Sequence, residues 1–85
     1  MGSYRLQIKP SAVRELEGVP RQDRRRLAAR MRALADDPRP PGAEKLRGHD
    51  LYRVRQGSYR ILYEIVDRDL SVTVIKIGHR REVYR

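Results

Sequence analysis

The chain has 85 residues, 20 Lys or Arg against 11 Asp or Glu, and a formal net charge of +9. It has no cysteine and no apolar run long enough to span a bilayer, which excludes a disulfide framework, a thiolate metal site and a transmembrane helix. So strong a positive charge predicts an anionic partner. Since 17 of the 20 basic residues are arginine, bidentate phosphate recognition is favoured, although a GC-rich genome would also enrich arginine over lysine.

At this length the chain is expected to form a single domain over residues 1–85, with a thin core. No signal-peptide pattern is found, and the lack of cysteine suits a reducing compartment. A cytoplasmic protein is therefore expected.

The first half of the sequence predicts one strand and a helical hairpin. "YRLQI" alternates over Tyr4 to Ile8 and is followed by Pro10, which is typical of a strand. A short helix ending at Gly18 and a longer one over about Arg21 to Ala35 follow. Their apolar stripes are formed by Ala12, Val13 and Leu16, and by Leu27, Met31 and Leu34.

The second half predicts an antiparallel sheet. A proline-rich connection over residues 38–48 contains a short extended element at "KL", and strands follow over Leu51–Arg55, Ser58–Val66 and Leu70–Ile77. Gln56-Gly57 and residues 67–69 are the predicted turns. This order predicts an α+β, two-layer fold: an N-terminal strand, a helical hairpin and an antiparallel β-meander, with the helices on one sheet face.

The hairpin "YRVRQGSYRILYE" separates its residues onto two faces. With Gln56-Gly57 as a two-residue turn, Arg53 lies opposite Arg60. The helix-covered face is then formed by Tyr52, Val54, Tyr59, Ile61, Tyr63 and Ile65, and the open face carries Arg53, Arg55 and Arg60. Like charges that face each other destabilise a strand pair, so their presence favours a phosphate site over side chains that only splay into water.

The expected register of the third strand adds aliphatic residues to the open face. A turn at Arg68-Asp69 pairs Leu62 with Ile75 and Arg60 with Ile77, and it places Lys76 on the helix side. An apolar and basic face on so small a protein indicates a binding surface for another macromolecule.

Three segments carry a resemblance to a known family: "DPRPPGAEKLRG", "LYRVRQGSYRILYEI" and "VIKIGHRREVYR". In this order, after a strand and a helical hairpin, they resemble the RelE/ParE superfamily of toxins from bacterial toxin–antitoxin systems over nearly the whole chain. The hairpin and the C-terminal segment look more like the RelE branch, whose members cleave messenger RNA in the ribosomal A site. ParE-like members share the fold and poison DNA gyrase instead.

The resemblance implies a catalytic role for five residues. Arg53 and Arg55 match basic residues that line the RNA site, Arg60 and Arg80 match arginines that hold the scissile phosphate, and Tyr84 matches a tyrosine that stacks on or orients the nucleotide. The implied reaction is attack of a ribose 2′-OH on the adjacent phosphate. It leaves a 2′,3′-cyclic phosphate and a 5′-OH, and it is expected to need no metal or other cofactor.

Further contacts to the nucleic acid are expected from Lys45, Arg47, His79 and Arg81. No metal site is expected, because His49 and His79 lie on different segments and offer no metal-ligand spacing.

The residue that removes the 2′-OH proton stays open at this point. Arg53 and Arg55 stand where the best-studied RelE members have lysines, and a guanidinium gives up a proton reluctantly. His79 is a candidate acid or base because an imidazole titrates in the right range, or else it is a structural or RNA-contacting histidine. Glu64 is another candidate, or it pairs with an arginine.

The expected partners are mRNA in the ribosomal A site and a cognate acidic antitoxin, in a toxin–antitoxin hetero-oligomer; no membrane partner is expected. An acidic segment, disordered when free, would fold on the basic domain as a helix or an added strand. The arginine-rich face of the second helix is a second docking surface or only a solvated face: Arg25, Arg26, Arg30 and Arg32. Two alternatives to the nuclease are a gyrase-binding toxin without nuclease activity and an inactive relative that only binds antitoxin.

Overall fold

The computed structural model of the chain describes residues 4–46 and 50–79. The helices and strands within them are, in chain order, β1 Arg5–Ile8, α1 Pro10–Glu17, α2 Arg21–Asp36, β2 Glu44–Lys45, β3 Leu51–Gln56, β4 Tyr59–Val66 and β5 Ser71–His79. A turn of 3-10 helix, Asp67–Asp69, joins β4 to β5. The predicted α+β order is confirmed, and neither helix in the described residues is long and apolar enough to cross a membrane.

The five strands form one mixed sheet in the order β1-β5-β4-β3-β2. Strands β2 to β5 pair antiparallel, as a meander predicts. β1 instead runs parallel to β5, from Arg5 opposite Ser71 to Ile8 opposite Val74. The first and last described strands therefore lie side by side, with both helices in the chain between them.

The core lies between the helices and one face of the sheet. Leu27, Met31 and Leu34 of α2 are buried, as predicted. They belong to one cluster with the buried strand residues Val54, Ile61, Tyr63, Ile65, Val72, Val74 and Ile77. In α1, Ala12 is buried but Val13 is 37% exposed, contrary to the prediction, because a helix of two turns buries only one narrow stripe.

The turn of the β3–β4 hairpin lies one residue later than predicted. Gln56 pairs with Tyr59, so the two turn residues are Gly57 and Ser58 rather than Gln56 and Gly57. Gly57 has φ +60°, a conformation that glycine adopts without strain at the first turn position. The cross-strand partner of each β3 residue changes by two positions, so the predicted sorting of the two faces is preserved.

A bulge interrupts the pairing of β4 with β5. Tyr63 lies opposite Val74, but Leu62 lies opposite Lys76, so Ile75 is an extra residue on β5. The predicted pairs of Leu62 with Ile75 and Arg60 with Ile77 are therefore wrong. Lys76 lies opposite Leu62, and its ammonium contacts Glu15 of α1 at 2.6 Å, so its charged end reaches the helix side, where the prediction placed it.

A network of charged and hydroxyl groups joins four segments at the end of the sheet far from the hairpin turn. Arg39 donates two hydrogen bonds to the Asp67 carboxylate, Nη1 to Oδ1 at 3.2 Å and Nη2 to Oδ2 at 2.8 Å. The Tyr4 hydroxyl donates to Asp67 Oδ1 at 2.6 Å, and Arg39 Nε donates to the Tyr52 hydroxyl at 3.1 Å. The hydrogen bonds from Arg39, and then that from Tyr4, lower the pKa of Asp67 to about 2.

We expect acid to weaken the fold by protonating Asp67. Its folded pKa of about 2 lies below the ordinary 3.8, so its contribution is present above the ordinary value and is lost as the pH falls towards 2. In urea unfolding, Asp67→Asn should lower the midpoint modestly at pH 7, because the pair is exposed, and this difference should vanish in acid. Asp69→Asn in the same turn is the control; an equal effect of both substitutions would contradict the prediction.

Candidate nucleic-acid interface

The open face of the β3–β4 hairpin carries three arginines, as the alternation predicted. Arg55 lies opposite Arg60, whereas Arg53 lies opposite Leu62. The like-charged pair is therefore Arg55–Arg60 and not the predicted Arg53–Arg60. On the other side of β4, Arg60 lies opposite Gly78, which has no side chain that could cover it.

The three arginines line one depression of about 330 Å³, together with Gly42 and Glu44. Arg60 is only 5% exposed, whereas Arg55 is exposed, so guanidinium groups stand both deep in the depression and at its rim. A low-dielectric cleft in which one sign of charge predominates, here three arginines against one glutamate, focuses the electrostatic potential. The depression is therefore suited to an anion.

Glu44 places a carboxylate in the same depression, and the sequence analysis missed this residue. Glu44 lies opposite Arg53, whose Nη2 donates to Glu44 Oε1 at 2.7 Å. The hydrogen bond and charge of Arg53, with smaller contributions from the charges of Arg60 and Arg55, lower the pKa of Glu44. Its side chain is 63% exposed against 16% for Arg53, so the carboxylate remains in contact with water.

A proline-rich turn sets the position of β2. The backbone N–H of Ala43 donates to the Pro40 carbonyl at 3.0 Å, and Gly42 has φ +91°, which favours glycine. The extended element is therefore Glu44–Lys45, one residue before the predicted "KL". The signal that could have revealed Glu44 was the alternation of this short strand, read one position earlier.

Lys45, a predicted nucleic-acid contact, lies apart from the three arginines. It is opposite Tyr52, one residue from Glu44 and so on the other face of the sheet. There it lines a separate depression of about 430 Å³ beside Arg39 and Asp67. The structure does not bring Lys45 to the arginine-lined depression.

His79 also faces away from the arginines. It lies opposite Tyr59, and the two rings meet edge to face with their centres 5.9 Å apart. Both residues line a third depression, of about 350 Å³, beside Arg14 of α1. His79 is therefore on the helix side of the sheet, one strand position from the Arg60–Gly78 pair.

The other carboxylate considered for proton transfer, Glu64, is remote from the arginine-lined depression. It is four residues from Arg60 along β4, about 13 Å in an extended strand, and lies opposite Leu51 and Thr73. Over residues 4–46 and 50–79, no group of three or more His, Cys, Asp or Glu side chains could hold a metal ion.

Four predicted site residues lie outside the described residues: Arg47, Arg80, Arg81 and Tyr84. Arg80 directly follows His79, at which β5 ends. The roles of these four residues stay predictions.

Known proteins are similar to this chain over most of its length. The family described as the ParE toxin of the type II toxin–antitoxin system parDE matches residues 6–84. The mRNA interferase toxin RelE of Escherichia coli strain K12 is 32% identical, over 96% of this chain and 90% of that protein. In the RelE–RelB complex of Pyrococcus horikoshii OT3, the matching chain is 28% identical with a TM-score of 0.80, covering 92% and 96% of the two chains. The intact RelBE toxin–antitoxin complex of Escherichia coli matches with 28% identity and a TM-score of 0.79, covering 91% and 96%.

Removal of the Glu44 charge should strengthen anion binding at the arginines. Glu44→Gln takes away a carboxylate that competes for Arg53, so Kd for a short 2′-O-methyl RNA should fall about two- to five-fold at low salt, and less at high salt. Fluorescence anisotropy measures this Kd. Glu17→Gln, which removes an exposed carboxylate on α1, is the control. Binding that is unchanged or weaker in Glu44→Gln alone would contradict the assignment of this depression.

Proposed function

The chain belongs to the ParE toxin family of type II toxin–antitoxin systems, and we propose that it is an mRNA interferase that cleaves messenger RNA in the ribosomal A site. Relatives that match nearly the whole chain are named mRNA interferases. The observation that carries the proposal is the single depression lined by Arg53, Arg55 and Arg60. Planar guanidinium groups bind phosphate oxygens in pairs, which fits an RNA backbone.

The proposed reaction is an internal transfer of the phosphoryl group. The ribose 2′ oxygen bonds to the adjacent phosphorus as its proton leaves, and the bond from phosphorus to the 5′ oxygen breaks. The 5′ oxygen takes up a proton, so the products are a 2′,3′-cyclic phosphate and a 5′-OH. Water is not consumed in this step, and the reaction as proposed uses no metal ion.

Arg60 and Arg55 supply the electrostatic part of this mechanism. As the 2′ oxygen attacks, negative charge grows on the two non-bridging phosphate oxygens. Donors that are already in place stabilise this charge without reorganisation, and one such donor is worth about 3 kcal/mol. The deep position of Arg60 favours this role, since the residue is only 5% exposed and lies opposite Arg55 on one side and Gly78 on the other.

The proton transfers require an acid and a base within reach of the scissile phosphate. Within the part of the chain that the structure describes, the one carboxylate that lines the depression is Glu44. Its lowered pKa keeps it ionised but makes it a weak proton acceptor. His79 stands at the same end of the sheet as Arg60 but on the helix side. A contact from His79 to RNA would therefore lie outside the arginine-lined depression, beyond the scissile phosphate.

The residues outside the described part complete the proposed site. By resemblance, Arg80 joins Arg60 on the scissile phosphate and Tyr84 orients the nucleotide, while Arg47 and Arg81 contact the RNA backbone. The sequence supports this for Arg80 most directly, because it follows a strand whose penultimate residue, Gly78, lies opposite Arg60.

We also propose a cognate antitoxin as partner. Two of the solved RelE structures similar to this chain are toxin–antitoxin complexes. A chain with a net charge of +9 favours an acidic partner segment, which would be disordered when free and would fold as it binds. The exposed arginines of α2 offer such a segment a second surface: Arg21, Arg25, Arg26 and Arg32.

A gyrase inhibitor without nuclease activity is the second candidate function. The match to the family named for the ParE toxin favours it. In this case the basic open face would contact a complex of protein and DNA rather than ribosomal mRNA.

Cleavage of translated mRNA is the direct test of the proposal. Purified protein added to a translation reaction should produce breaks inside codons, visible by primer extension, with 2′,3′-cyclic phosphate ends. The same mRNA without ribosomes should remain intact. Inhibition of DNA supercoiling by gyrase, with intact mRNA, would replace the first proposal by the second. Neither effect, with antitoxin binding retained, would identify an inactive relative.

Removal of either phosphate-binding arginine should abolish toxicity. Arg60→Ala or Arg80→Ala should slow mRNA cleavage by about 10²- to 10³-fold and abolish growth arrest, because the developing charge loses a donor. Arg60→Lys keeps a buried cation and controls for folding, which circular dichroism monitors. Arg26→Ala, an exposed arginine of α2, should remain toxic. Full toxicity of both Arg60→Ala and Arg80→Ala would remove the phosphate-site assignment.

A further inference from the structure

A carboxylate clamp holds the last strand against the first helix. Glu15 of α1 accepts the backbone N–H of Ile77 through Oε1 at 2.9 Å, and it accepts the Lys76 ammonium through Oε2 at 2.6 Å. The Glu15 and Lys76 side chains are 31% and 41% exposed, so the ion pair is partly shielded from water. One carboxylate therefore binds two consecutive residues of β5.

The clamp lies on the edge of β5 where strand pairing has ended. β1 accompanies β5 only as far as Ile8 opposite Val74, followed by one hydrogen bond from Lys9 N–H to the Val74 carbonyl at 3.0 Å. The chain then leaves the sheet to form α1. Ile77 is only 2% exposed, and a buried N–H without an acceptor is costly. Glu15 supplies the acceptor that a longer β1 would have provided.

The clamp also follows directly on the bulge of β5. The extra residue Ile75 interrupts the hydrogen-bonded ladder with β4 just before Lys76. Pairing then resumes with Lys76 opposite Leu62 and Ile77 opposite Ile61, and the next residue, Gly78, lies opposite Arg60. Glu15 thus fixes β5 between the bulge at Ile75 and Gly78, the residue that lies opposite Arg60.

We infer that Glu15 is a positioning residue for RNA cleavage, which rests on the proposed function. By holding Lys76 and Ile77, it sets the place of Gly78 beside Arg60. Glu15 lies on the helix side and touches neither Arg60 nor the depression that Arg60 lines. A displacement of about 1 Å at reacting groups can slow an enzyme by about 10²-fold.

Three substitutions separate the two bonds of the clamp. Glu15→Leu removes both, Glu15→Gln keeps an oxygen for the Ile77 N–H, and Lys76→Met keeps the carboxylate and removes only the ammonium. On ribosomes programmed with mRNA and saturated with toxin, Glu15→Leu should cleave about 10- to 100-fold more slowly, and the other two should stay within about three-fold of the parent. Glu17→Leu, which removes an exposed carboxylate two residues along α1, is the matched control and should cleave like the parent.

Hydrogen exchange of the Ile77 amide distinguishes positioning from overall stability. Measured by NMR at a temperature where every variant is folded, this exchange should be at least about ten-fold faster in Glu15→Leu and nearly unchanged in Glu15→Gln. Cleavage that falls only with the folded fraction would overturn the inference, as would equal loss in Glu15→Gln and Glu15→Leu.

The parent protein separates a failure of this inference from a failure of the proposed function. If the parent does not cleave ribosome-bound mRNA, the proposed function fails and the positioning role falls with it. If the parent cleaves and Glu15→Leu cleaves equally fast, the positioning role alone is wrong.

Discussion

The two-residue alternation of the central hairpin is the constraint on which the rest of the structure depends. It turns Val54, Ile61 and Tyr63 under the helices, and the same backbone geometry turns Arg55 and Arg60 to the open face. A slip by one residue would exchange the two faces, burying guanidinium groups and exposing the core. Packing of the apolar face therefore also holds the arginines in their arrangement.

The two ends of the sheet have opposite electrostatic characters. Near the 3-10 turn, Arg39 and Asp67 neutralise each other, and with Tyr4 and Tyr52 they join four segments of the chain. Near the hairpin turn, Arg55 faces Arg60 directly, and Glu44 stands at the edge of the depression that they line. The neutral network and the positive depression lie near opposite ends of the sheet. The fold can therefore tolerate repulsion between Arg55 and Arg60 at one end while the ion pair of Arg39 and Asp67 stabilises the other end.

The sequence predicted the features that follow from regular helix and strand periodicity, and it missed those that depend on local irregularities of the strands. Face sorting in β3 and β4, the stripe of α2 and the order of elements followed from alternation and helical spacing. The bulge at Ile75 did not, since one inserted residue has no compositional mark in an apolar strand. Glu44 was missed because a two-residue strand gives almost no pattern, and the placement of His79 depended on the register beyond the bulge.

The adjacency of β1 and β5 bears on how the molecule is made. β5 lies between β1 and β4, so an interior strand of the sheet is the last of the described strands to be synthesised. A growing polypeptide that has not yet released residues 71–79 leaves β1 without its neighbour and the helices without the core residues Val72, Val74 and Ile77. Such non-local pairing delays folding until late in synthesis. The proposed activity therefore requires that residues 71–79 have been released and that β5 has joined the sheet.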